Sequence, residues 1–447
     1  MGVRDSADLD LVDVALAIRE RSFSSHDVTM DCLQRIKAWG GNTFRSLDAD
    51  AALVTAAERD RELDRGFLRG PLHGVPLAHK DIFDRPGVAP GCGSPMSPTH
   101  VPTRAASVLD RLARAGAVDL GPLHMAEFAL GPTGDNAHFG PGRNPWQQNR
   151  VSGGSSSGSG IAVAAGMVYG SLGTDTGGSI RLPAAMCGVF GLKPTFGAVA
   201  SDGVFPLSWS MDTVGPLTRS ARDLRRLYRV ITGTARTPDD ALGTANLAGD
   251  GGRRPTLGLL APDEDVEPGV RELIGRCVDC LSSLGIRTVP IVLPGPEEVS
   301  YAFETVLSVE AASVHQHMLD RNGAEYGPNV LSRIAAGFDV SAVQYARALR
   351  NRQLMVHEVE ASLSQVDALL TPSVGIVTPT LTDVNEASPE QLAVLFRQIT
   401  RWMRLPSYLG LPVVQAPIGT VDGLPVGVQL VGKRGSDVLL THLAKYL

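Results

Sequence analysis

An α/β fold is what this sequence predicts, on three observations. Segments with apolar residues at helical spacing alternate with short continuous apolar runs. One predicted helix stops at a glycine just where a strand-like run begins, and the strand–helix–strand rhythm restarts after a long polar stretch. In chain order, Leu9 to Arg19, His26 to Trp39 and Asp50 to Leu63 read as amphipathic helices, the second opened by Ser24 or Ser25 as its cap. GVPLAHKD (74–81) then reads as a buried strand, TRAASVLDRLARAGA (103–117) as a helix and AVDLGPL (117–123) as the next strand. GTARTPDDALGTANLAGDGGRRP (233–255) and TPTLTDVNEASPEQ (378–391) are rich in turn formers and read as long surface loops, while TLGLL (256–260) restarts the pattern. No internal repeat is visible.

Bulk composition narrows the function classes. The 447 residues, 43% hydrophobic and 20% charged, suffice for one large domain or two to three smaller ones. The net charge of -6 and the lack of a dense Lys/Arg block argue against nucleic acid or an anionic membrane as partner. The first twenty residues lack the basic start and apolar run of a signal peptide, and no stretch reaches 18 uninterrupted apolar residues, so a cytoplasmic protein is expected. Cys32, Cys92, Cys187, Cys277 and Cys280 are odd in number and scattered, which fits reduced thiols; the CVDC at 277–280 lies in a helical pattern and reads as helix packing.

Two stretches carry the chemistry. SGGSSSGSG (152–160) has a linker's composition but leads straight into IAVAAGMVYGSLG, an apolar helix candidate, so its backbone N–H groups belong at a buried helix start. GTDTGGSIRLP (173–183) has three glycines, Gly173, Gly177 and Gly178, which let a backbone turn aim N–H groups at one point, as an anion or a developing oxyanion requires. A serine nucleophile also needs a base. GSSSG (154–158) formally matches a nucleophile elbow centred on Ser156, although NPWQQNRV before it is not strand-like. The other base is Lys80, at the end of an apolar run, where burial favours the neutral amine against an ordinary pKa of about 10.4.

Together, GVPLAHKD (74–81), GGSSSGSG (153–160) and GTDTGGSIRLPAAMCGVFGLKPT (173–195) resemble the amidase signature family of Ser-cisSer-Lys hydrolases. The resemblance runs from about Ser24 to the C-terminus and includes MAEFALGPTGDNAHFGPGRNPW (125–146), SDGVFPLSWSMDTVGPLTRS (201–220) and GLPVGVQLVGK (423–433). It implies Lys80 as base, Ser155 as a bridging serine after a cis peptide bond, and Ser179, 24 positions further on, as nucleophile. It also implies an oxyanion hole from the N–H groups of Thr176, Gly177, Gly178 and Ser179, each donor being worth roughly 3 kcal/mol to a transition state. The implied fold is an α/β/α sandwich around a twisted, mostly parallel mixed sheet. A single domain over 1–447 is expected, with a helical N-terminal region (1–70), a catalytic core (71–232) and a C-terminal part (256–447) completing sheet and pocket.

The neighbours receive plainer roles. Asp175 and Arg181 are expected to pair and hold the nucleophile loop, and Ser156 to hydrogen-bond within the site. Ser157 replaces a glycine common in the family and needs a local partner. His79 faces away from Lys80 on a strand, Cys187 belongs to the core, and His315 and His317 at i, i+2 do not share a helix face, so no metal is expected. No cofactor is expected either.

The amide is less defined. MAEFALG and FGPGRNPW resemble the glutamine-using, tRNA-dependent amidotransferase branch, but FRQITRWMRLP (396–406) has arginines, Thr400 and aromatics where that branch places an acid for an α-ammonium. Arg352 is a candidate for meeting a carboxylate, and the Trp and Met of RWMRLP for lining an acyl pocket. The expectation is therefore a cofactor-independent amidase acting on a small-molecule carboxylic or carbamoyl amide, with a homodimer possible and neither nucleic acid nor membrane as partner. The alternatives are the glutamine-hydrolysing component of a tRNA-dependent amidotransferase, a Ser156-centred α/β hydrolase acting on esters, and a silent anion-binding protein.

Overall fold

The computed structural model describes residues 6–96, 101–235, 254–260, 265–293 and 296–447. Among the described residues ten strands make one sheet: β1 (Pro76–Lys80), β2 (Val118–Leu123), β3 (Gly170–Asp175), β4 (Phe190–Lys193), β5 (Thr213–Thr218), β6 (Thr256–Leu259), β7 (Arg287–Pro290), β8 (Ala368–Pro372), β9 (Val413–Val421) and β10 (Leu424–Val431). Their spatial order is β2-β1-β3-β5-β4-β9-β10-β8-β6-β7. Helices cover both faces, giving the expected α/β/α sandwich. Every residue of β1, β3, β5, β8 and β10 is buried, so none of them shows the alternation of a half-exposed strand; of the five, β1 is the one read as a strand in the sequence.

The sheet is mixed, but its balance differs from the mostly parallel expectation. Pairing is parallel across β2-β1-β3 and β8-β6-β7, and antiparallel at the five ladders between β3 and β8. One cause is the β9–β10 hairpin, closed by Asp422 (φ 53) and Gly423 (φ 73), the pair of positive-φ residues that a two-residue hairpin turn demands.

The N-terminal helices follow the sequence closely. Ser24 caps Ser25–Trp39 by accepting from the Asp27 N–H, and that helix stops at Gly40 in the left-handed conformation. The run at 161–173 departs from the expected single helix: the helix is Ser157–Ala164, and the chain then enters β3. Residues 236–253 of the polar stretch 233–255 lie outside the described residues. The stretch 378–391 is not a loop throughout, because Thr380–Asp383 and Ser388–Gln391 form reciprocal capping boxes that start the helices Leu381–Asn385 and Pro389–Tyr408. Parallel pairing of β1 with β3 brings Lys80 and Asp175 out at the same sheet edge, the carboxyl ends where α/β proteins place ligands.

Candidate active site

Lys80 ends β1 with no exposed surface. Its Nζ lies 2.8 Å from Ser155 Oγ and 2.7 Å from Thr174 Oγ1. Burial pushes its pKa down to about 7, against the opposing pull of Asp212 and Asp175, so a large share is neutral amine near neutral pH. Ser155 follows a cis peptide bond from Gly154, as the resemblance implied. The Ser156 N–H donates to the Ser179 carbonyl at 3.2 Å, fastening the two serine loops together. Ser179 is half-buried and opens on a cavity of about 450 Å³.

The loop from Thr176 to Ser179 is shaped from below. Asp175 accepts from Arg181 Nε and Nη2, both at 2.9 Å, and from the Gly178 N–H at 2.8 Å. Arg181 also donates to Gln429 Oε1, the Met403 carbonyl and Ser407 Oγ, so one buried cation ties the loop to β10 and to the helix Pro389–Tyr408. Burial alone would raise the Asp175 carboxyl, but Arg181 holds it down at about 2. The expected pairing of Asp175 with Arg181 is thus present. Gly178 sits at φ +119 with no room for a side chain, since a Cβ would meet Met403 Cγ at 2.8 Å.

One expected oxyanion donor is engaged elsewhere. The Gly178 N–H faces the Asp175 carboxylate, whereas those of Gly177 and Ser179 have no partner among the described residues. Thr176 donates its hydroxyl to Asp212 Oδ1 at 2.5 Å. Asp212 in turn accepts from the Leu207 and Ser208 N–H groups, and its burial raises its pKa to about 6. Thr174 and Asp212 were missed in the sequence; Thr174 was visible as part of GTDTGGS, but nothing local tied it to a lysine 94 positions away.

The remaining candidates differ in how closely they engage Lys80 and Ser179, Ser156 bonding within the site as expected. Ser156 turns its hydroxyl to the β3 backbone at the Thr174 carbonyl, and no strand precedes it, so it has neither the base nor the setting of a nucleophile elbow. Ser157 finds its local partner in His124 Nδ1 at 2.8 Å. His79 accepts from the Leu172 N–H and is kept neutral by burial, and Cys187 is core. His315 meets Tyr326 in an aromatic cluster, and no metal-holding group of His, Cys, Asp or Glu occurs among the described residues. Arg352 lies outside the cavity lining, stacked over Tyr408 and bonded to Ser210. Met403 fills core beneath Gly178, and Arg404 and Thr400 line the cavity in place of the expected tryptophan and methionine.

The amidase family profile matches residues 27–441. The glutamyl-tRNA(Gln) amidotransferase A-subunit of Symbiobacterium thermophilum is 36% identical over 90% of this chain and 88% of its own length. Among solved structures, an amidase superposes with a TM-score of 0.88 at 33% identity over 98% of this chain and 99% of the other. A structure described as a vestigial protein complex, bearing on the origins of an s-triazine catabolic enzyme, superposes at 0.87 with 32% identity over 98% of both chains. These likenesses overturn the expectation of a small-molecule amide as sole partner with nucleic acid excluded. A relative whose name joins a tRNA to one component of an amidotransferase, and a neighbour solved as a complex, are incompatible with ruling such partners out on net charge alone. No helix among the described residues is long and apolar enough to cross a membrane. With its profile match over nearly the whole length, its relatives above 30% identity and its shared fold, the chain belongs to the amidase signature family, enzymes of amide C–N bonds.

Proposed function

We propose that the chain hydrolyses a carboxylic amide through an acyl-enzyme on Ser179, with Lys80 and Ser155 relaying the proton. The observation that carries this is the dry lysine 2.8 Å from Ser155, one loop from a serine at the cavity. Neutral Lys80 takes a proton from Ser155 Oγ as Ser155 takes one from Ser179 Oγ, and Ser179 attacks the carbonyl carbon. The C=O electron pair moves to oxygen, where the Gly177 and Ser179 N–H groups and the start of the Thr176 loop receive it. Collapse breaks the C–N bond; the leaving nitrogen takes its proton back through Ser155, and water cleaves the acyl-enzyme to the carboxylic acid. No cofactor is needed for any step. The ten-stranded sheet, continuous from segment 76–80 to 424–431, supports treating the chain as one domain, and five free cysteines support a reducing, cytoplasmic setting. Ammonia release from a panel of short aliphatic, aryl and carbamoyl amides, with mass detection of acylated Ser179, tests the reading; no adduct and no release across the panel would refute it.

The glutamyl-tRNA(Gln) amidotransferase relatives support a second reading, in which the same chemistry frees ammonia from glutamine for a glutamyl-tRNA within a complex. Thr400 weighs against it: an α-ammonium in the cavity would find Glu304, which already pairs with Arg404 at 3.1 Å. Glutaminase and transamidation assays with glutamyl-tRNA and candidate partner proteins distinguish the two.

A further inference from the structure

The cavity that Ser179 lines carries an imbalance of charge. Its charged lining residues are Arg333, Arg397, Arg404 and one acid, Glu304. They come from three helices: Glu304 from Pro296–Asn322, Arg333 from Pro328–Ala335, and Arg397 and Arg404 from Pro389–Tyr408. Leu392, Phe396, Arg397, Thr400 and Arg404 fall at helical spacing, so a single face of the last helix looks into the cavity. Arg404 is only 7% exposed; its Nη2 reaches Glu304 Oε1 and its Nε donates to Thr400 Oγ1 at 3.2 Å. Burial lowers its pKa, Glu304 opposes this, and Arg333 and Arg397 add to the lowering, so three guanidinium groups share one counter-charge.

A cavity that clusters cations without matching acids is completed by an anion from outside. Ser179 lies in the same lining, together with the apolar side chains of Phe303, Leu307 and Phe396, which would meet the non-polar part of an acyl arm. We infer that the amide cleaved here carries a carboxylate on its acyl arm and no neighbouring ammonium, with Arg333 and Arg397, the lining cations that Glu304 does not pair, as its anchors and Arg404 held beside them by Glu304 and Thr400. This rests on the acyl-enzyme reading and names its substrate class. A zwitterion such as glutamine would bring its ammonium into a cavity of net positive charge, so zwitterionic amides are disfavoured by the same residues that favour a simple anion.

The test compares the anionic half-amides malonamate, succinamate and glutaramate with neutral amides of equal length, butyramide standing against succinamate. In the wild type, kcat/KM for the best half-amide should exceed that of its neutral counterpart by at least about tenfold, the scale of one charge-assisted hydrogen bond. Arg397→Gln and Arg333→Gln, on exposed and half-buried positions, should each lower this ratio severalfold by losses on the anion alone, and Arg404→Gln, tested together with Glu304→Gln so that no unpaired acid is left in the cavity, should change it less. In Ser179→Ala, calorimetry should detect binding of the half-amide but not of the neutral amide, a readout free of turnover. Rapid labelling of wild-type Ser179 by a fluorophosphonate, with equal rates or equal binding for anionic and neutral amides, would overturn this inference alone. Absence of labelling together with absence of half-amide binding would overturn the acyl-enzyme reading and this inference with it. A ratio unchanged in all three arginine variants would likewise defeat it.

Discussion

Lys80 Nζ stands 2.8 Å from Ser155 Oγ across 75 positions of sequence, and both groups are wholly buried. Removing either amine or nucleophile should therefore stop the chemistry without loosening the fold. Lys80→Ala and Ser179→Ala are each expected to lower kcat by about a thousandfold or more, with circular dichroism and thermal midpoint near wild type. Ser156→Ala, whose hydroxyl faces the β3 backbone, should keep measurable turnover.

The position of Lys80 on the pH axis gives a second expectation. Its pKa is pushed down to about 7, and only the neutral amine can accept a proton, so kcat/KM should fall about tenfold per unit below that pH and level off above it. A profile flat from pH 5 to 8 would be inconsistent with lysine as base.

Thr174 bonds that base directly, and Asp212 acts on it through its charge. Asp212 is the strongest of the charges favouring the ammonium form, so Asp212→Asn should move the acid limb to lower pH while retaining the bond to Thr176. Thr174→Val removes one of the two oxygen partners of Nζ and should cut kcat by roughly tenfold and also shift the limb downward. An unaltered limb in both variants, read from a pH–rate series, would place the two residues outside the proton path.

Asp175 and Arg181 carry a stability expectation. Asp175→Asn leaves a fully buried guanidinium without its carboxylate and should cost about 3–5 kcal/mol in urea unfolding. In the wild type the carboxyl is held at about 2, below its ordinary value near 3.8. Its contribution is thus complete above about pH 4 and lost as pH falls towards 2. Stability independent of pH across that window would contradict the pairing.

Much of this site was legible because its chemistry is written in short local runs. GVPLAHKD ends a strand at Lys80, and the two glycine–serine loops carry Ser155 and Ser179 within 24 positions. What the sequence hid depends on distant segments meeting. Thr174 reaches Lys80 only because β1 and β3 lie side by side, and Arg404 reaches the cavity only because its helix packs beneath the Thr176–Ser179 loop through Met403. The predominance of antiparallel ladders had a local sign, the Asp422-Gly423 turn, but the other antiparallel neighbours follow from tertiary order that no window of residues encodes. The polar run 378–391 looked like a loop because its turn formers are also cap formers.

The rate at which a fluorophosphonate modifies the protein reads a lysine-driven serine directly, without knowledge of the substrate. Peptide mapping should locate the label on Ser179, with a modification rate that rises through about pH 7 in the wild type and is reduced by orders of magnitude in Lys80→Ala. Label on another serine, or Lys80→Ala reacting as fast as the wild type, would contradict it.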